Sequence, residues 1–245
     1  MAKKKKQILP AWKWAMIVVA ILLVFIGLRK WVFPPSFPAA ASTYEVFGVD
    51  VSKHSGKIKW DKLKDNRVQF AYIKATEGED YVDPMYKENY KGLRQNNILF
   101  GAYHFFRFNR DGRLQALHFI DHADLRPGNL LPVIDVETWG NTLTTRSDKE
   151  VIVEIGKFIS TIRQQLRVSP IIYTNGESYR RFIKGHYDDC PLWFCDIEDE
   201  PRDEVSHWMM WQYSHRGKIE GARHEIDFNV FRRTKGELVR RFTMK

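Results

Sequence analysis

Eight short apolar segments, several of which end in a polar residue, constrain the fold of this chain more than any other feature. Parallel strands that are buried on both faces have near-continuous hydrophobic sequences. The segments with that composition are 47–51, 70–77, 100–106, 131–137, 170–174, 191–196, 208–213 and 225–229. They predict eight strands whose polar side chains collect at the carboxyl ends.

Helical patterns separate the first six predicted strands, at 60–66, 84–97, 113–124, 147–166 and 178–184. In the fourth pattern, Ser147 and Glu150 have the spacing of a capping box, and apolar residues then recur at helical intervals. No comparable helix follows the sixth strand. Five β/α units followed by three strands predict an α/β fold, a modified TIM-like barrel whose active site lies at the carboxyl ends of the strands.

Two acids, Asp135 and Glu137, lie two residues apart in the otherwise apolar segment 131–137. Side chains at this spacing on a strand project from the same face, roughly 6.6 Å apart along the backbone. A close carboxyl pair tends to divide into one protonated and one ionised group, and cleavage of a glycosidic bond requires such a pair. An ion pair with arginines of the barrel, or a strand end exposed to water, would also explain the two acids.

Three more acids, Asp50, Glu77 and Asp227, lie where predicted strands end. Because the carboxyl ends of barrel strands surround one mouth, we expect these acids to join Asp135 and Glu137 there. Asp50 and Asp227 belong to the first and last strands, which are adjacent where a barrel closes. Ordinary strand-end acids in contact with water remain the alternative.

Six short motifs follow one another along the chain: Gly48-Val49-Asp50-Val51-Ser52, Ala75-Thr76-Glu77-Gly78, Gly101-Ala102-Tyr103-His104-Phe105, Asp135-Val136-Glu137, Trp211-Gln212-Tyr213-Ser214 and Ile226-Asp227-Phe228-Asn229. In this order they resemble the motifs of the family 25 glycoside hydrolases, which are lysozymes of the muramidase type. The resemblance extends from about Phe47 to Phe231. It implies hydrolysis of the β-1,4 bond between N-acetylmuramic acid and N-acetylglucosamine, with peptidoglycan glycan strands as the partner.

Carried over position by position, the resemblance implies that Glu137 is the general acid/base and that Asp135 is its partner carboxylate. Asp50 and Asp227 match the other two acids of the family's site. Glu137 would protonate the leaving oxygen and later deprotonate a water molecule, while ionised Asp135 would either orient the N-acetyl group of the sugar or attack the anomeric carbon itself. The resemblance favours retention of configuration.

Four residues are predicted to bind the sugar: Glu77, Tyr103, Tyr173 and Trp211. An aromatic ring face stacks on a pyranose, and polar atoms at the ring edge fix its hydroxyl groups. Each aromatic residue could equally belong to the core. We predict no metal and no cofactor, because His118 and His122 lack the glutamate of the zinc-hydrolase helix motif and no third ligand is evident.

The net charge of +9 is concentrated at the N terminus. Seven basic residues and no acid precede Ser42: Lys3, Lys4, Lys5, Lys6, Lys13, Arg29 and Lys30. Without these seven, 32 basic residues remain against 30 acidic ones. Since the rest of the chain is nearly neutral, we predict no nucleic-acid partner.

The apolar run from Trp14 to Leu28 predicts one membrane crossing. As a helix, the span from Trp12 to Trp31 would be ~29 Å long, close to the ~30 Å hydrocarbon core, with a tryptophan at each interface. The lysine cluster in residues 1–11 keeps the N terminus in the cytoplasm. The catalytic domain of this single-pass protein is therefore predicted on the periplasmic or extracellular side.

The predicted organisation is a cytoplasmic basic N terminus, a transmembrane signal anchor, a Pro/Ala-rich linker and a catalytic barrel, at 1–11, 12–33, 34–43 and 44–245. A cleaved signal peptide is the alternative, since Ala39-Ala40-Ala41 is a small-residue site, although it lies far beyond the apolar run. A non-catalytic, membrane-anchored peptidoglycan-binding protein is the functional alternative, and a chitin hydrolase is a third. Four acids at one barrel mouth favour the muramidase over a binding protein, because binding does not require that repulsion.

Overall fold

The computed structural model of the chain describes residues 12, 13, 16, 19, 39–201, 205 and 207–245. The predicted cytoplasmic segment and most of the predicted membrane anchor lie outside these residues. Within the part that is described, no helix is long and apolar enough to cross a membrane. The anchor and its orientation therefore stay predictions.

Nine strands in the described part of the chain form one sheet, and eight of them close into a barrel. The strands are β1 (Val46–Val51), β2 (Phe70–Glu77), β3 (Tyr81–Val82), β4 (Leu99–Phe105), β5 (Val133–Val136), β6 (Ile171–Asn175), β7 (Leu192–Cys195), β8 (Met210–Gly217) and β9 (Ile226–Phe231). Their order is β1-β9-β8-β7-β6-β5-β4-β2-β3, and pairing of β1 with β2 closes the barrel. The predicted eight-stranded barrel is confirmed, and the two-residue strand β3 is an addition that forms a hairpin on the end of β2.

Of the helices in the described part of the chain, five lie between the early strands, as the sequence predicts, and a sixth follows the last strand. They are α1 (Trp60–Asp65), α2 (Tyr86–Gln95), α3 (Gly112–His122), α4 (Asp148–Leu166), α5 (Gly176–Ser178, continued by a π-helical turn at Tyr179–Ile183) and α6 (Lys235–Phe242). The capping box of α4 is present, since Ser147 Oγ accepts from the Glu150 amide and Glu150 accepts from the Ser147 amide. This pair satisfies two of the free amides at the helix start.

Helix α6 closes the amino end of the barrel and was not predicted from the sequence. Thr234 caps the helix, and its apolar side buries Leu238 and Phe242. The Phe242 ring packs edge-on against Phe231 at 5.2 Å between centroids, and its carbonyl accepts the Leu131 amide at 2.7 Å. With only two fully buried apolar side chains in a basic segment, the helix has a weak sequence pattern.

Strand β9 runs antiparallel to both of its neighbours, β8 and β1, whereas the other neighbouring pairs of the barrel are parallel. The amino end of β9 therefore lies at the mouth. The prediction that Asp227 ends a strand at its carboxyl end is wrong, because Asp227 is the second residue of β9. The reversed direction nevertheless pairs Asp227 with Asp50, where the barrel closes.

Alternate side chains of the strands fill two separate cores, one inside the barrel and one between the barrel and its helices. Large aromatic rings fill the interior because two glycines make room for them. A Cβ atom at Gly48 would lie 2.4 Å from the Phe70 ring, and one at Gly101 would lie 2.4 Å from the Tyr72 ring. The interior of the barrel is packed, and a groove opens at its mouth.

The predicted linker 34–43 ends earlier than expected. Residues Ala39–Thr43 form a 3-10 turn, and Ala41 is buried in the core between the barrel and its helices. Residues 34–38 lie outside the described part of the chain. The Pro/Ala composition suggested a linker throughout, but alanine is small and apolar enough to pack, so the folded domain begins before residue 44.

Candidate active site

A groove of about 1130 Å³ opens at the mouth of the barrel, and all four predicted acids line it. Asp50 lies near the carboxyl end of β1, Asp135 lies in β5, and Glu137 follows β5 directly. Asp227 enters from the amino end of β9. The structure thus brings together four carboxyls that are separated by up to 177 positions in the sequence.

Asp50 is only 6% exposed, and two side-chain amides hold its carboxylate. Gln212 Nε2 and Asn229 Nδ2 each donate to Asp50 Oδ2 at 2.7 Å. Two aromatic donors in turn fix the amides, since the Tyr173 hydroxyl donates to Gln212 Oε1 at 2.7 Å and Trp193 Nε1 donates to Asn229 Oδ1 at 2.9 Å. Each amide therefore has its NH₂ group directed at the acid.

Burial raises the pKa of Asp50 well above its usual range, and the neighbouring Asp227 raises it further. Hydrogen bonds from Asn229 and Gln212 and the charge of His215 act in the opposite direction. A buried carboxyl with opposing influences of this kind titrates together with its neighbours rather than alone.

Asp135 and Glu137 form a second pair of acids in the groove. Asp135 is 8% exposed, and its buried Oδ1 has no hydrogen-bond partner among the described residues. Burial raises the pKa of Asp135 well above its usual range, and the charge of Glu137 adds to this effect while Lys74 opposes it. Burial also raises the pKa of Glu137, against the hydrogen bond of Tyr173. Both carboxyls hold a proton to higher pH than an exposed acid, as a proton donor requires.

His215 on β8 connects Asp227 to a thiol at the edge of the groove. Its Nδ1 lies 3.0 Å from Asp227 Oδ1, and its Nε2 lies 3.5 Å from Cys195 Sγ. The hydrogen bond to Asp227, followed by the one to Cys195, raises the pKa of His215 to about 11. His215 is therefore cationic at neutral pH, and its charge lowers the pKa of Glu137. His215 was not predicted as a site residue, because a single histidine after a strand motif carries no pattern.

Glu77 lies at another part of the groove, within a cluster of opposite charges. Lys74 Nζ donates to Glu77 Oε2 at 2.6 Å, and Arg107 donates to Oε1 from Nε at 2.8 Å and also from Nη2. Burial raises the pKa of Glu77, but the two cations outweigh it, and the pKa is lowered. Glu77 is thus an ionised anchor for Lys74 and Arg107, with both oxygens already engaged.

Residues 49–222, which include three of the four acids, match the family model described as glycosyl hydrolases family 25. The chain belongs to family 25 of the glycoside hydrolases. A solved family 25 glycosyl hydrolase from Bacillus anthracis is similar to it, with a TM-score of 0.75 and 33% identity over 81% of this chain and 94% of that chain. The resemblance seen in the sequence motifs is therefore confirmed.

Two curated relatives extend the comparison of this family 25 enzyme. The uncharacterized protein YegX of Escherichia coli K12 is 34% identical over 203 residues, which cover 80% of this chain and 73% of YegX. Lysozyme M1 of Streptomyces globisporus is 31% identical over 203 residues, which cover 78% of this chain and 69% of the lysozyme.

The predicted sugar-binding aromatics of the family 25 enzyme fall into two groups. Tyr103 and Tyr173 line the groove. Trp211 does not: it is fully buried on the outer face of β8, with Nε1 donating to the Asp196 carbonyl at 2.7 Å. Because neighbouring side chains on a strand face opposite ways, Gln212 lies in the groove while Trp211 packs under the helices. The structure therefore does not place Trp211 with the other predicted binding residues.

Trp139 is a groove residue that was not predicted from the sequence. Its side chain is 72% exposed although it lines the groove, and its ring meets Phe105 edge-on at 6.3 Å. A large exposed ring at the rim of a groove is typical of a surface that stacks on sugars. The position of Trp139, two residues after Glu137, was the one feature of the sequence that could have indicated its place at the groove.

Over the described ranges, no group of three or more His, Cys, Asp or Glu side chains could hold a metal ion.

Proposed function

We propose that this family 25 enzyme is a muramidase that hydrolyses the β-1,4 bond between N-acetylmuramic acid and N-acetylglucosamine in peptidoglycan. The convergence of four carboxyls on one groove carries the proposal, because acid-assisted glycoside cleavage uses a close pair of carboxyls, one as the proton donor and one in the ionised form. The name of its relative Lysozyme M1 supports the choice of substrate.

Glu137 is assigned as the general acid/base. Its side chain is half-buried, whereas Asp135 is almost completely enclosed, so Glu137 is the member of the pair that is better placed to meet a glycosidic oxygen. Burial raises its pKa, so the carboxyl holds a transferable proton to higher pH than an exposed glutamate does. The cation of His215 opposes this shift and so eases the return of Glu137 to the base form.

Asp135 is assigned to the N-acetyl group of the muramic acid. Its buried Oδ1, which lacks a partner among the described residues, is an acceptor for the amide N–H of that group. In the free enzyme, burial favours the neutral form of Asp135. Donation from the amide and the developing positive charge at the sugar both favour the ionised form, in which Asp135 stabilises the intermediate.

The proposed reaction has two displacements at the anomeric carbon. First, the proton of Glu137 passes to the leaving oxygen as the glycosidic bond breaks, and the N-acetyl oxygen bonds to the anomeric carbon. A water molecule then displaces the N-acetyl oxygen and gives its proton to Glu137, so configuration is retained. Direct attack of the ionised Asp135 carboxylate on the anomeric carbon is the alternative route.

The products test the assignment directly. Purified peptidoglycan treated with the enzyme is expected to release fragments with muramic acid at the reducing end. Borohydride reduction followed by mass spectrometry identifies that end, because only the reducing sugar becomes an alditol. Glucosamine at the reducing end would indicate a glucosaminidase instead, and binding to peptidoglycan without any new reducing ends would indicate a non-catalytic binding protein.

We also propose that residues 12–33 anchor the enzyme in a membrane, with the N terminus in the cytoplasm and the barrel on the outer side. The apolar run from Trp14 to Leu28 and the basic cluster before it support this arrangement. The burial of Ala41 argues against signal cleavage before Ser42, because such cleavage would remove a residue that packs in the core.

Fractionation tests the anchor. The full-length protein is expected to remain with membranes through high-salt and carbonate washes, since a spanning helix is not removed by either treatment. Protease added to the outer face should release a soluble, active barrel. Recovery of a soluble mature protein that begins at Ser42, without added protease, would favour a cleaved signal peptide.

A further inference from the structure

A second cavity, of about 320 Å³, adjoins the acid groove. Four residues line both spaces and so form their common wall: Glu77, Tyr81, Arg107 and Gly140. Beyond this wall the second cavity is lined by Asp80, Arg110 and Leu143, among others. A ligand in the acid groove could therefore extend a side branch into the second cavity.

The buried Asn141 ties the wall of this cavity to the catalytic strand. Its Oδ1 accepts the Phe108 amide at 2.9 Å, and its Nδ2 donates to the Phe106 carbonyl at 3.0 Å. The same Nδ2 donates to the Glu137 carbonyl at 2.8 Å. One side chain thus fixes the loop after β4 relative to the backbone of the proposed acid.

Two further side chains hold the turn that carries Arg110. The fully buried Gln115 accepts the Arg107 amide at 2.8 Å and donates to the Arg107 carbonyl at 3.0 Å. Arg146 Nη1 donates to the Arg110 carbonyl at 2.7 Å and to the Phe108 carbonyl at 3.2 Å. The backbone of Arg110 is therefore fixed, so its side chain extends from a preorganised position.

Among the described residues that line the cavity, one cation and one anion are not engaged with each other or with other charges. Arg107 is committed to Glu77 and to the Gly140 carbonyl. Arg110 and Asp80 are both exposed, and neither forms an ion pair with any residue that the structure describes. The cavity thus has a free guanidinium and a free carboxylate, which suit a ligand with a carboxylate and an ammonium group.

We infer that this second cavity binds the peptide stem of peptidoglycan, an inference that rests on the proposed muramidase function. The stem is a short acidic peptide joined to muramic acid through its lactyl group, so a muramic acid in the groove places a peptide beside it. Arg110 pairs with a stem carboxylate, and Asp80 pairs with a stem ammonium group. Leu143, which is 91% exposed, offers an apolar contact for the alanyl methyl groups.

Paired substrates test the inference. The kcat/KM is measured on glycan strands that carry their stems and on the same strands after an amidase has removed them. In the wild-type enzyme the ratio of the two values is expected to exceed one. Arg110→Gln should lower this ratio about fivefold, mainly through KM, because it removes one partly exposed charge-assisted contact. Arg113→Gln, an exposed cation of α3 outside the cavity, should keep the wild-type ratio.

Each outcome bears on one proposal. Wild-type enzyme that cleaves neither substrate contradicts the muramidase function, whereas cleavage of both with a ratio of one overturns only the stem site. An unchanged ratio in Arg110→Gln, or an equal fall in Arg113→Gln, also overturns it. Asp80→Asn should lower the ratio for strands with free stem amines and not for strands whose amines are acetylated; equal effects on both would exclude the role given to Asp80.

Discussion

Replacement of Glu137 by glutamine is expected to reduce peptidoglycan hydrolysis about 10³-fold or more, while the fold is unchanged. Glutamine keeps the size of the side chain and most of its hydrogen bonding but has no proton to transfer. The same group serves in both steps of the proposed reaction, so neither step proceeds normally. Clearance of a peptidoglycan suspension measures the activity, and thermal unfolding measures the fold.

The sign of the stability change provides a control on Glu137→Gln. Burial raises the pKa of Glu137 in the folded state above its value in the unfolded chain. The folded protein therefore loses stability as pH rises through the folded pKa and Glu137 becomes ionised. A neutral glutamine avoids this cost, and the variant should unfold at the wild-type temperature or above at neutral pH. Glu88→Gln, an exposed glutamate on α2, should remain active. Near wild-type clearance by a normally folded Glu137→Gln variant would exclude Glu137 as the acid.

The second large loss is expected from Asp135→Asn, roughly 10²-fold or more in the rate of hydrolysis. Asparagine has a similar size but lacks the negative charge that stabilises the positive intermediate. The charge of Glu137 raises the pKa of Asp135. Because that repulsion is mutual, loss of the Asp135 charge should lower the pKa of Glu137 and leave less of it protonated at working pH.

The pH dependence of Asp135→Asn separates coupling from a simple loss of contact. In the wild type, the titration of the coupled carboxyls as a group should shape both limbs of the profile. In the variant, the alkaline limb should move to lower pH, and the acidic limb should change as well. Asp121→Asn, an exposed acid on α3, should keep the wild-type profile. A loss by a constant factor at every pH, with both limbs unmoved, would mean that the two carboxyls are not coupled.

The number and positions of the barrel strands could be predicted because doubly buried parallel strands require long apolar runs. The adjacency of Asp50 and Asp227 followed from the same reasoning, since the first and last strands must meet in a closed barrel. The acid pair was visible because Asp135 and Glu137 interrupt an apolar strand. These features depend on local composition and on closure, both of which a single sequence contains.

Other features could not be predicted for physical reasons. Apolar composition contains no information on strand direction, so the reversal of β9 was missed. The motif around Trp211 does not indicate which face of β8 points inward. Side chains alternate between the two faces of the strand, and it is Gln212 that faces the groove. The position of His215 in the site depends on contacts with residues distant in sequence, and that of Trp139 depends on the geometry of a loop. Their roles emerge only from tertiary contacts.

The reversal of β9 also makes the field around the acids asymmetric. Helices α1 to α5 follow parallel strands, so their amino ends, with their partial positive charge, point toward the mouth from one side. Strands β8 and β9 are joined by a hairpin without a helix, and a sheet has little net dipole. On that side the acids depend on single donors: Gln212, Asn229 and His215. The charge state of the acid cluster is consequently adjustable by point substitutions on two strands, without rebuilding any helix.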